Sequence, residues 1–350
     1  MMKSLVRIIM ICGVLVGGVT PSYAATNTAK KTTQASASKA KAAKAKASKS
    51  ASKVNKNKKR VISRTRTPAG SESAERFSAL VVDASTGSVL YEKNADGMRY
   101  PASLTKMMTL YLTFDALKKG KLSMDETMRV SEKAASQPQT NINLEEGDRL
   151  PVRSAIESLV VRSANDSAMV LAETLGGTEW NFALMMTKKA HELGMKDTVF
   201  RNPSGLPDDR QYTTAYDMAR LGIALRRDFP EYYPYFKLKS FSYNGITYPT
   251  HNRVMLRFPG ADGLKTGYIR ASGFNLVTSV KRDSYNIVAV VMGGSSSSAR
   301  DDQMIAMLQH TFAELEGKKN HLASLHGKTA KSIYPDDIAE EILYAAYAGR

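Results

Sequence analysis

Ser103 and Lys106 stand three residues apart at the start of an apolar run, a spacing that puts a hydroxyl and an amine on one face of a helix. A serine hydroxyl is a weak nucleophile until a base within hydrogen-bond reach takes its proton. A lysine serves as that base only when desolvation or a neighbouring cation lowers its pKa. Lys265, in Lys265-Thr266-Gly267, is the candidate cation. Between the two lies Ser163-Ala164-Asn165, which brings a second hydroxyl and an amide. Each motif alone has a plain reading, a helix cap for Ser163 or an ordinary turn for Lys-Thr-Gly. In this order they describe acyl transfer by a serine that works without histidine.

Such residues need a frame, and the sequence indicates one. Ser78–Asp83 and Ser88–Tyr91 flank Ala84-Ser85-Thr86-Gly87 and read as a hairpin. An apolar helix begins near Ser103 and stops by Gly120, which places Ser103 where free backbone N–H groups and the positive dipole end meet a developing oxyanion. Helices follow at Val152–Val161, Asn165–Leu175, a segment ending at Gly194, and Thr214–Arg227. Strands return at Lys237–Tyr243, Gly263–Tyr268, Gly273–Val280 and Asn286–Met292, before a last helix over Ala299–Glu316. The expected class is α+β, one mainly antiparallel sheet covered by helices with an all-helical subdomain. A glycine on the Lys-Thr-Gly strand would let an extended peptide dock there as one more strand.

Wider stretches carry a resemblance. Tyr100-Pro101-Ala102-Ser103-Leu104-Thr105-Lys106-Met107-Met108-Thr109, Asn202-Pro203-Ser204-Gly205-Leu206 and Asp262-Gly263-Leu264-Lys265-Thr266-Gly267-Tyr268 resemble the low-molecular-weight penicillin-binding D-alanyl-D-alanine carboxypeptidases, which share the serine β-lactamase fold. The likeness runs from about Phe77 to Phe312. It implies Ser103 as nucleophile, Lys106 as base, and an oxyanion hole from the backbone N–H groups of Ser103 and Tyr268. It implies that Ser163 relays a proton to the leaving amine, that Asn165 holds the substrate, and that Lys265, Thr266 and Gly267 line its binding strand. Thr266, Arg253 and Arg300 are the candidates to receive a terminal carboxylate. The implied substrate is a peptidoglycan stem peptide ending in D-Ala-D-Ala, with β-lactams as inhibitors and no cofactor.

Charge and composition bound the rest. Of the formal +17, residues 25–70 supply 14 Lys or Arg with no Asp or Glu, so with Lys3 and Arg7 set aside residues 71–350 are left at +1. That stretch reads as a disordered Lys/Ala/Ser-rich linker. Residues 1–24 read as a secretory signal, with Lys3 and Arg7 ahead of an apolar run from Ile8 to Val19 and Ser22-Tyr23-Ala24 for cleavage. Secretion makes anionic envelope polymers or a membrane surface the expected partners of the linker, in place of specific nucleic acid, and puts the protein in the periplasm or cell envelope. The catalytic domain is expected over residues 71–318 and a C-terminal extension over 319–350, with a helix across Pro335–Ala348. Cys12, the only cysteine, falls within the signal, so thiol chemistry is excluded from the mature chain. The five histidines lack the paired helical spacing of a zinc hydrolase and read as surface or core residues.

Three other readings remain open at this level. A D,D-endopeptidase acting on cross-links would use the same residues. A class A β-lactamase would need a deacylating glutamate in a Glu-x-x-Leu-Asn setting after Asn165, and neither Glu173 nor Glu179 has one. A non-catalytic envelope-binding protein would keep the basic tract and lose the motifs, which here are intact.

Overall fold

A computed structural model describes residues 76–319. The expected signal, linker and Pro335–Ala348 helix lie outside them. Nine strands are named in chain order: β1 (Ser78–Asp83), β2 (Val89–Lys93), β3 (Thr127–Arg129), β4 (Arg149–Pro151), β5 (Ser240–Tyr243), β6 (Ile246–Pro249), β7 (Ala261–Ile269), β8 (Gly273–Arg282) and β9 (Tyr285–Gly294). Five of them form one antiparallel sheet in the order β2-β1-β9-β8-β7. The fold is α+β, as expected.

The apolar strands alternate between two cores, because helices cover both faces of the sheet. Leu80, Val82, Val288 and Val290 face the helical body with Met218 and Leu221 of the Ala215–Asp228 helix. Val81, Ile287, Ala289 and Val291 face Met304, Leu308 and Phe312 of the Ser297–Lys319 helix. Strands buried on both sides read as continuous apolar runs, and period-2 side-chain geometry divides each run between the cores.

The Lys106–Lys118 helix is buried nearly all round, from Lys106 to Phe114 without a break. A helix apolar on every face belongs inside a body. It supports the Val152–Val161, Asn165–Gly176 and Glu179–Glu192 helices of the helical part. Thr178 and Thr214 cap two helices through their side-chain oxygens, which accept from the amides of Asn181 and Asp217. Thr214 thus lies just before the helix it was expected to begin.

One expected strand differs. Of the expected Lys237–Tyr243, Lys237 closes a 3₁₀ turn, Tyr233–Lys237, and only Ser240–Tyr243 is extended, paired with β6 in a separate ribbon. Tyr233 and Phe236 bury their rings. β3 and β4 form a second ribbon that the sequence pattern did not disclose.

Candidate active site

Ser103 occupies a 3₁₀ turn, Ala102–Thr105, that runs into the Lys106–Lys118 helix. Amides at a helix start have no intrahelical acceptor, so the Ser103 N–H is left to serve a ligand. Ala102, just before it, has φ +48°. A left-handed backbone at a non-glycine residue stores strain, and such positions gather at functional sites.

Lys106 is fully buried and its Nζ donates to three oxygens: Asn165 Oδ1 at 2.7 Å, the Ser204 carbonyl at 2.7 Å and Ser103 Oγ at 3.3 Å. The first two are pure acceptors and must receive N–H groups. When the amine is neutral it has two N–H bonds to give them, and its lone pair is left for the Ser103 hydroxyl. Its pKa is well below the ordinary lysine value, through burial first and Lys265 second, against an opposing pull from Asp166. Ser103 and Lys106 share the expected helix face, and Lys265 stands close enough to contribute to the fall.

Asn165 is held by its own bonds. Its Nδ2 donates to the Pro138 carbonyl at 2.8 Å, and its backbone N–H to Thr140 O at 2.6 Å. One side-chain N–H remains for the cleft. Asp166, beside it, accepts from the backbone amides of Ile142 and Leu144 and so fastens the loop that carries Thr140. Ser163 is not a helix cap: Ala164 precedes the first turn, and Ser163 has φ +63°. Its Oγ is buried without a hydrogen-bond partner among the described residues, and the residue lines the cleft.

Lys265, Thr266, Gly267 and Tyr268 lie on β7, at the edge of the sheet. Burial pushes Lys265 down to about 7, with Arg300 adding to the fall, and its Nζ donates to the Thr266 carbonyl at 2.9 Å. Gly267 has a reason beyond peptide docking. A Cβ there would stand 3.0 Å from the Ser103 nitrogen and 3.2 Å from the Pro101 oxygen, so the nucleophile's own backbone takes that space. The Tyr268 ring is 52% exposed and stacks on Phe274 at 4.3 Å between centroids.

Arg253 is exposed at the rim, and Arg300 is buried; both line the cleft. Arg300 is already engaged: Nε and Nη2 donate to Asp301 Oδ1 at 2.9 and 2.6 Å, and Nη1 to the Asn275 carbonyl at 3.2 Å. It reaches the cleft as half of a buried ion pair, a partnership that the sequence reading did not include.

Ser103, Ser163, Asn165, Thr266, Gly267 and the two arginines line one cleft of about 570 Å³, with Lys106 and Lys265 buried behind its wall. No Asp or Glu lies among the described residues that line it. Glu173 accepts from Ser131 Oγ and Glu179 pairs with Lys133, outside the cleft. His251, exposed as a surface histidine, also lines the cleft.

The sequence quoted Asn202-Pro203-Ser204-Gly205-Leu206 without giving it a task. Asn202 Oδ1 gathers the amides of Ser204, Gly205 and Leu206, the Pro203 carbonyl accepts from Thr109 Oγ1 at 2.6 Å, and Ser204 presents its carbonyl to Lys106. Asparagine's habit of bonding to amides two or more residues on was the available signal.

The family model for D-alanyl-D-alanine carboxypeptidase (peptidase S11) matches residues 63–296. The chain is 37% identical over 247 residues to the D-alanyl-D-alanine carboxypeptidase DacF of Bacillus subtilis, covering 69% of this chain and 63% of that protein. Among solved structures, penicillin binding protein 5 from Haemophilus influenzae aligns with a TM-score of 0.66 at 34% identity, over 67% of this chain and 70% of that one. Penicillin-binding protein D2 from Listeria monocytogenes, in its ampicillin-bound form, aligns at 0.59 with 27% identity, over 67% and 96%. With its serine, lysine and Lys-Thr-Gly strand gathered in one cleft, the chain belongs to the D-alanyl-D-alanine carboxypeptidase family, peptidase S11.

Proposed function

We propose that this protein is a serine-type D-alanyl-D-alanine carboxypeptidase that removes the terminal D-alanine from peptidoglycan stem peptides and is acylated by penicillin. The observation that carries the reading is the three-way hold on Lys106 Nζ, which keeps a buried amine of lowered pKa within 3.3 Å of Ser103 Oγ.

Ser103 Oγ attacks the carbonyl carbon between the two D-alanines as Lys106 takes its proton. The N–H groups of Ser103 and Tyr268 receive the oxyanion. The proton returns through Ser163 to the departing nitrogen, the C–N bond breaks, and free D-alanine leaves an acyl-serine. Water then adds to the ester, giving its hydroxyl to the acyl carbon and its proton to Ser103. No cofactor enters these steps. In a β-lactam the leaving nitrogen belongs to a ring and stays tethered, so the acyl-serine is long-lived. The described residues that line the cleft include no carboxylate to activate water, which supports this. The same absence disfavours a class A β-lactamase.

Thr266, with Arg253 and the Arg300–Asp301 pair nearby, receives the free carboxylate of the peptide. The apolar run and small residues of 1–24 support export to the periplasm or cell envelope. The 14 cations of residues 25–70 support attachment to an anionic polymer or lipid surface there. The assay is release of D-alanine from a soluble peptide ending in D-Ala-D-Ala. Release by the wild type and none by Ser103→Ala is the expected result. Cleavage of cross-linked muropeptides in preference to the free peptide would move the assignment to an endopeptidase.

A further inference from the structure

β8 and β9 fall out of step beside the nucleophile. Phe274 faces Gly294 and Leu276 faces Val291, so β9 carries one residue more than β8 between those pairs. The bulge includes Gly293, at φ +82°, where a Cβ would lie 2.1 Å from the Arg76 carbonyl oxygen. Bulges interrupt the ladder and leave a backbone group to be paired elsewhere. Here the Gly293 N–H is taken by Asn275 Oδ1 at 3.0 Å. Asn275, opposite the bulge and fully buried, uses the other end of its amide for a different purpose: Nδ2 donates to the carbonyls of Tyr100 at 3.0 Å and Pro101 at 3.2 Å. One amide orientation satisfies all three bonds at once, which fixes the side chain.

The same residue meets the rest of the cleft through its backbone. Its carbonyl accepts from Arg300 Nη1, and across the β7–β8 ladder it stands opposite Gly267. The Pro101 oxygen that it holds also accepts from the Leu104 amide, so the bonded carbonyl belongs to the turn carrying Ser103. The 3.0 Å clearance from a Gly267 Cβ to the Ser103 nitrogen leaves no slack between that turn and β7.

We infer that Asn275 is a positioning residue for the nucleophile: its side-chain amide ties the Tyr100-Pro101 carbonyls to the β9 bulge and sets the Ser103 backbone in register with the Lys-Thr-Gly strand. The inference rests on Ser103 being the acylated residue. Asn275 touches no substrate, and its effect passes through the turn. Asn275→Asp keeps an acceptor for Gly293 and sets a carboxylate oxygen against two carbonyls. Asn275→Ser removes the amide without adding charge, and carries the test if the aspartate variant does not fold. Leu276→Ala, which thins the core next door, controls for general destabilisation.

The experiment resolves penicillin acylation into the non-covalent dissociation constant and the first-order acylation rate constant, with the acylated residue mapped by mass and all proteins held well below their unfolding midpoints. The acylation constant should fall about 10- to 100-fold in the Asn275 variants, as displacement of a reacting group by a fraction of an ångström to one ångström requires. The dissociation constant should stay within about threefold, and Leu276→Ala should acylate at the wild-type rate despite a lower midpoint. Wild-type acylation constants in folded Asn275 variants would overturn the inference, as would a loss confined to the dissociation constant. Wild-type label on a residue other than Ser103 would overturn the assignment of the nucleophile and this inference together.

Discussion

Lys106 Nζ lies 2.7 Å from the backbone oxygen of Ser204, closer than the 3.3 Å that separates it from the hydroxyl it must deprotonate. The base is therefore aimed from across the cleft, by a loop nearly 100 residues away in sequence. That loop also presses on the nucleophile's turn: a Cβ on Gly205, at φ +86°, would stand 1.8 Å from the Ala102 oxygen.

Gly205→Ala should consequently displace both partners of the proton transfer. A fall of about 100-fold in the rate of fluorescent-penicillin labelling is expected, together with a lower melting temperature. Labelling at the wild-type rate would show that the loop does not set the geometry.

The pH profile of acylation follows from the state of Lys106. The amine must be neutral to accept the Ser103 proton, so the rate rises with pH on the acid limb. Burial and Lys265 lower the Lys106 pKa well below 10.5, and the limb should inflect well below that value. Replacing Lys265 by a neutral residue removes the repelling cation and should move the limb of the residual activity to higher pH. An unmoved limb, or a wild-type inflection near 10.5, contradicts the assignment.

Lys265 itself should cost stability. Its folded-state value of about 7 lies below the value of about 10.4 in an unfolded chain, so the unfolded chain holds more protons between those limits. Stability therefore rises with pH across that window; the cost is full below about 7 and gone above about 10.4. Lys265→Met should raise stability at neutral pH by about 0.5–2 kcal/mol while removing activity, with an advantage that shrinks as pH approaches 10. Lys106→Met should show no such gain, because it strands the acceptors Asn165 Oδ1 and Ser204 O. Denaturant melts at three pH values test both.

Much of this site was legible in the residues themselves. Ser103, Lys106 and Lys265 announce their chemistry because few other arrangements use a serine, a lysine at i+3 and a distant second lysine. Glycines and caps gave the ends of the long helices to within three residues, and apolar runs gave the central strands. What stayed hidden depends on side chains meeting across long separations. Nothing near Arg300 marks its pairing with Asp301, since the geometry that turns one neighbour onto the other comes from burial against Asn275. Asn275 itself sits in a strand run where an asparagine reads as a weak point, and only the bulge opposite gives it work. The Lys237–Tyr243 strand was read three residues too long at its start, because nothing in Lys237-Leu238-Lys239 marks where the Tyr233–Lys237 turn ends and the Ser240–Tyr243 strand begins.

Recognition of the free carboxylate sets the fourth expectation. A peptide ending in the free acid should be cleaved faster than its amide, by about 2 kcal/mol or more, which is about 30-fold in kcat/KM. Thr266→Val should narrow the gap. Arg300→Ala is the poorer probe, because Asp301 would be left as an unpaired buried charge at a cost of about 3–5 kcal/mol. An amide cleaved as well as the acid would remove the carboxylate from the account.

The central claim is that Ser103 forms the covalent bond. Intact-protein mass spectrometry after brief exposure to penicillin, followed by peptide mapping, tests it directly. The account predicts one added penicillin mass, carried by the peptide containing Ser103, stable on the scale of minutes and missing from a folded Ser103→Ala protein. An adduct that persists in Ser103→Ala, or a wild type that turns penicillin over without retaining it, would contradict it.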